Sequence, residues 1–199
     1  MKTAGRKRER GAGLFIVIII AAGLAAIGIT LVSLTAMGPK LSGGLRSQEE
    51  AFNAAEAGFE SARTAIENNL SLGSWPNFAG RYLVQPTGID QPFISTTPNP
   101  AYFRRQTDEE LLASFDTNGD GTPDVANLLF FNQTFALDEQ GQTDLRLCAT
   151  AFLINKQAGG GGNDANTALL VIIGAVRAGS RILATARLEI ELSCQNQGT

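Results

Sequence analysis

The sequence contains no histidine. That removes Ser-His-Asp and Cys-His catalysis and deprives transition metals of their commonest ligand. Carboxylate chemistry and hard-cation sites stay open. Cysteine is scarce, with Cys148 and Cys194 alone. In an exported domain an even count suggests one disulfide between them, against the alternative of two buried thiols. Such a bridge would close a loop of roughly 45 residues, worth on the order of 3–4 kcal/mol in the chain-entropy account. Basic residues are thin outside the first eleven positions, where Lys2, Arg6, Lys7, Arg8 and Arg10 stand against Glu9. The remainder is acidic. A basic end beside an apolar run points to orientation at a membrane and away from nucleic-acid binding.

Charge is also missing from the whole stretch Ala12 to Met37. At about 1.5 Å per residue that stretch reaches roughly 39 Å, more than a hydrocarbon layer of about 30 Å. A cleaved secretory signal has a shorter apolar core and a small-x-small cleavage site. Here the run is too long, and Leu34 fits poorly before a cut near Ala36. A retained or membrane-side-processed anchor is the better reading, with the basic end cytoplasmic and residues from about 40 onward outside. Ala22, Ala26 and Thr30, with Gly23 and Gly28 alongside, place small residues at helical spacing, which permits close helix packing in lipid.

Three parts follow: a basic leader over 1–11, a long helix over 12–70 and a β-rich domain over 71–199. Within the helix, 12–37 spans the membrane. The segment around 38–44, with Pro39, Gly43 and Gly44, is expected to kink or melt. The amphipathic part covers 45–70, with Leu45, Phe52, Ala55, Phe59, Ala62 and Ile66 on one stripe. Residues 71–106 hold five of the seven prolines and read as loop, with short strands expected at Arg81–Val84 and Ala101–Arg105. Thr107 and Glu110 form a capping-box signature before a short helix. Strands are expected at Asp144–Asn155, Thr167–Arg177 and Arg181–Ser193, the last two joined by a tight Ala-Gly-Ser turn. Gln157–Asn166 reads as a flexible connector. The fold class is α+β, a long N-terminal helix laid on a C-terminal antiparallel sheet.

Residues 116–124 read DTNGDGTPD. Asp116, Asn118, Asp120, Thr122 and Asp124 alternate, and Gly121 follows Asp120. This matches most of a calcium loop, in which side chains on a tight turn converge on one hard cation and Thr122 lends its backbone carbonyl. The last position holds Asn127, not the usual bidentate glutamate. The bland alternative is an Asn-Gly/Asp-Gly surface turn. Ca²⁺ binding is expected here, rigidifying the domain.

A basic leader ending at Gly11, the apolar run RGAGLFIVIII and the segment LRSQEEAFNAAEAGFESA together resemble the type IV pilin superfamily. The first 70 residues look most like the PilX-like minor pilins and are similar to the K-class minor pseudopilins of type II secretion. The resemblance implies cleavage after Gly11, or alternatively Gly13, and N-methylation of Ala12. It also implies residence in a bacterial inner membrane, docking on an inner-membrane assembly platform and packing against other pilin or pseudopilin subunits. Major pilins carry a glutamate at the fifth mature position. Here that position is Ile16, or Ile18 for the alternative cut, which fits a priming or tip subunit. The expected function is a structural subunit of a type IV pilus or related secretion filament. The alternative is a membrane-anchored, calcium-dependent binding or sensing module outside any filament. No enzymatic role is expected, since Glu109 and Glu110 serve the helix dipole.

Overall fold

A computed structural model describes residues 9–78, 81, 88–137, 139–154 and 165–194. The chain has an α+β layout, with an N-terminal apolar helix and a C-terminal antiparallel four-stranded sheet. It divides into two compact units at Leu45/Arg46.

Helix α1 is assigned from Glu9 to Ser71. The helix runs without a gap through 38–44, the segment expected to kink or melt. Pro39 forfeits one backbone hydrogen bond, at about 3 kcal/mol. In the first unit, Gly13–Ser33 is long and apolar enough to cross a membrane, and all of it is exposed. Its hydroxyls are satisfied internally. Thr30 Oγ1 donates to the Ala26 carbonyl at 2.8 Å, and Ser33 Oγ to that of Ile29 at 2.9 Å. The surface thus presented is hydrocarbon.

The second unit holds the remainder of α1 and the sheet, in the order β3 (Leu128–Thr134), β4 (Leu147–Ile154), β5 (Thr167–Ala178) and β6 (Arg181–Ser193). All neighbours are antiparallel. β5 and β6 turn through Gly179, whose φ of +64° suits a residue without Cβ. Ala168–Val176 is buried without a break, so the two-residue alternation of a half-solvated strand is lost.

Both sheet faces are covered. On one, Ala55, Ala62 and Ile66 of α1 pack on Ala149, Ala151, Leu153, Leu170 and Ile172. On the other lies a layer built from Ile89, a 3-10 turn at Phe103–Arg105 and helix α2, Asp108–Phe115. Phe115 meets Phe152 edge to face at 5.0 Å. A two-residue hairpin, β1 (Phe93–Ile94) with β2 (Thr97–Pro98), completes this layer's sequence region.

The expected helix stripe is borne out in part: Ala55, Ala62 and Ile66 are buried, and Phe59 packs half-buried beside them. Ala51, Ala54, Ala55, Ala62 and Ile66 are buried, whereas Leu45 and Phe52 are exposed. The contact face uses small residues because helix and sheet approach too closely for large ones. The strand expected at Ala101–Arg105 is instead the 3-10 turn at Phe103–Arg105. Strand β3 has no counterpart among the strands expected from sequence. The strand expected at Arg81–Val84 falls, except for Arg81, outside the described residues. So does the connector up to position 164.

Candidate functional site

Two regions carry chemistry: the acidic loop after α2, and the face where α1 meets the sheet. Helix α2 delivers the loop. Thr107 accepts from the Glu110 N–H at 3.2 Å, and Glu110 Oε2 accepts from the Thr107 N–H at 2.8 Å, so the capping box is complete. Thr107, through its N–H first and then its hydroxyl, holds the Glu110 carboxyl below its usual range.

Asp116 caps the other end of α2 and is the hub of the loop. Its Oδ1 accepts from the N–H of Gly119 at 2.8 Å and of Asp120 at 3.1 Å, and its Oδ2 from that of Gly121 at 3.0 Å. Gly119 and Gly121 adopt φ of +73° and +86°, which lets the backbone wrap around one carboxylate. Asp120 Oδ1 accepts from Thr122 Oγ1 at 2.5 Å and from the Thr122 N–H at 2.8 Å. Asp124 Oδ2 accepts from Thr117 Oγ1 at 2.5 Å and from the Thr117 N–H at 2.8 Å. The threonine hydroxyls first, and then those amides, hold both carboxyls below the ordinary aspartate range. Asn118 Nδ2 donates to Asp120 at 3.2 Å and to Asp124 at 3.3 Å.

The structure therefore brings Asp116, Asn118, Asp120, Thr122 and Asp124 into one loop, with donors of the hard-oxygen kind a calcium ion takes. In this arrangement the carboxylates turn onto the loop's own N–H and O–H groups. Among the described residues, no three Asp, Glu, His or Cys side chains converge closely enough to hold a metal.

The expected disulfide is not formed. Both cysteines are free, Cys148 buried and Cys194 half-buried. Cys148 pairs with Ala175, while the Cys194 N–H donates to Asn166, nine positions earlier on the β5 side. At about 3.3 Å per residue that is roughly 30 Å along the sheet, where a bridge needs Cα atoms within about 7 Å. The two thiols also belong to opposite faces. Burial pushes the Cys148 thiol up, against the opposing influence of Arg177.

Gly11 and Ala12 lie in the first turns of α1. Three positions of consequence carried little sequence signal. Arg187 donates from Nε to Asp108 Oδ1 at 2.6 Å, from Nη1 to the Phe103 carbonyl at 3.0 Å and from Nη2 to the Gln106 carbonyl at 3.1 Å. It bolts the α2 layer onto β6. Buried Asn99 donates to the carbonyls of Gly88 and Gln91, and accepts from the Ala101 N–H, tying the proline-rich loop. Gly174 marks the closest approach of α1 to the sheet. A glycine inside a run of β-branched residues was the available clue.

No protein-family model matches this chain, and neither a curated protein nor a solved structure matches it.

Proposed function

We propose that this chain is a minor pilin-like structural subunit, a priming or tip component of a type IV pilus or related secretion filament. The observation that carries the proposal is the division of labour along α1. Its first part is a fully exposed hydrocarbon rod, and its later part is a small-residue face seated on an antiparallel sheet. Such a rod is soluble only in lipid or against rods of like surface. A rod joined to a head that buries its own core can exchange one environment for the other without the head unfolding. Ile16 offers no charge in that rod, which suits a subunit with no neighbour beyond it.

The head is proposed to be stabilised by Ca²⁺. Asp116, Asn118, Asp120 and Asp124, with the carbonyl of Thr122, would hold it. When bound, the ion supplies a multivalent positive centre that neutralises the loop. The loop's own contribution is to keep Asp120 and Asp124 ionised and to fold the backbone around Asp116.

Site-specific photo-crosslinking tests the filament role. A crosslinker at Phe15 or Leu24 should capture pilin or pseudopilin rods in cells assembling filaments. Capture of lipid alone, with the chain absent from sheared filaments and their assembly intermediates, would contradict it and favour a static anchor.

A further inference from the structure

The sheet has two edges of different character. β3 is irregular: its register with β4 slips between Leu128 and Phe130 and again between Phe130 and Gln133. Asn127 and Asn132 have φ of +68° and +47°. Such bulges blunt an edge. β6 is regular from Ala184 to Ser193, in unbroken register with β5.

The hydrogen-bond phase shows which groups of β6 face outward. The Arg177 N–H donates to Arg146, so odd residues of β5 bond β4 and even ones bond β6. Even residues of β6 therefore bond inward, as Cys194 does to Asn166. The backbone groups of Arg187 and Glu189 point beyond the sheet. In agreement, Gln48 of α1 reaches the Thr185 carbonyl from outside at 2.9 Å.

We infer that β6 is a self-association edge, pairing antiparallel with β6 of a second copy about a two-fold axis at Leu188. That register sets Arg187 of each copy opposite Glu189 of the other, twice. Arg187 is already held by Asp108, and Glu189 accepts from Arg104 Nε at 2.9 Å and Nη2 at 2.7 Å. The pairing would join them into one row of alternating sign. On the other face, Leu188 meets Leu188 and Ala186 meets Ile190, large beside small. An axis at Ile190 would set Glu189 opposite Glu191, and an axis at Glu189 would set Glu189 opposite itself. Of these three axes only that at Leu188 sets no like charges opposite each other, and the interface is self-complementary as a two-fold contact requires. This association does not depend on the filament reading.

The test uses the full chain in detergent micelles, with Cys194→Ser to leave only the buried native thiol. Leu188→Cys and Ile190→Cys are compared under mild oxidation, each checked for an unchanged thermal transition. In the proposed register the two thiols introduced by Leu188→Cys face each other across a close pair. Those introduced by Ile190→Cys stand about 13 Å apart along the strands. The expected result is a covalent dimer from Leu188→Cys and none from Ile190→Cys, with Glu189→Lys added to Leu188→Cys reducing the dimer. Equal crosslinking at both positions would assign association to the apolar rods and overturn the inference. A chain that stays monomeric and uncrosslinked at both positions would also overturn it.

Discussion

Ala51 and Gly174 meet backbone to backbone. A methyl group in place of the Gly174 hydrogen would overlap the Ala51 carbonyl oxygen and stand 2.5 Å from the Ala55 nitrogen. A Cβ on Gly58, about two helical turns after Ala51, would lie 2.8 Å from Ala149 Cβ. The small residues of AAEAG are thus the helix side of a close contact whose sheet side is Gly174. Gly174→Ala should cost about 3 kcal/mol, at the upper end of overpacking, because the obstruction is backbone and cannot rotate away. Denaturant unfolding of the full chain in micelles would measure it. A loss under about 0.5 kcal/mol would show that α1 lifts from the sheet readily.

Arg187 and Arg104 both reach the α2 side of β6 and should differ sharply in weight. The Arg187–Asp108 pair is largely buried, with side-chain exposures of 17% and 15%, whereas Arg104 is 52% exposed. Arg187→Met should cost roughly 2 kcal/mol, since Asp108 and two carbonyls lose a charged donor. Arg104→Met should cost under about 1 kcal/mol. Equal losses would contradict the idea that Arg187 anchors the α2 layer.

The thiols should behave independently. Cys194, half-buried, should alkylate in the native chain, and Cys148 only on unfolding. Thermal transitions with and without reductant should coincide. A lower transition under reductant would indicate a bridge and contradict the strand register.

Acid should loosen the loop. The Asp120 and Asp124 carboxyls are held below their ordinary values in the folded chain. Their contribution is therefore fully present above the unfolded aspartate pKa of about 4 and is lost as pH falls through the lower folded values. Amide exchange at Thr122 and Thr117, whose N–H groups donate to Asp120 and Asp124, should show protection falling only below about pH 4. Loss of protection already at near-neutral pH would show that other groups hold the loop.

Calcium should raise the thermal transition of the chain, and Asp116→Asn should abolish the rise by removing the charge around which Gly119, Asp120 and Gly121 fold. Identical transitions with millimolar Ca²⁺ and with chelator would set the loop down as a plain surface turn.

What could be read from sequence was what is local. The capping box at Thr107, the Gly179 turn and the strands Thr167–Ala178 and Arg181–Ser193 each depend on a few neighbouring residues. The tight turns of the acidic loop at Gly119 and Gly121 are local in the same way. The helix stripe was legible at Ala55, Phe59, Ala62 and Ile66, but apolar periodicity also enlists Phe52 and Leu45, whereas close packing selects Ala51 and Gly58. The disulfide was misjudged because a count of two says nothing of register. β3 escaped notice because its bulges break the alternation that marks a strand. Arg187 could not be found because its partners, Asp108 and Phe103, are distant in sequence.

The mature N-terminus tests the central claim most directly. Mass spectrometry of chain from cells with an active prepilin peptidase should find cleavage after Gly11 and a methyl group on Ala12. An intact Met1 throughout that population would contradict it.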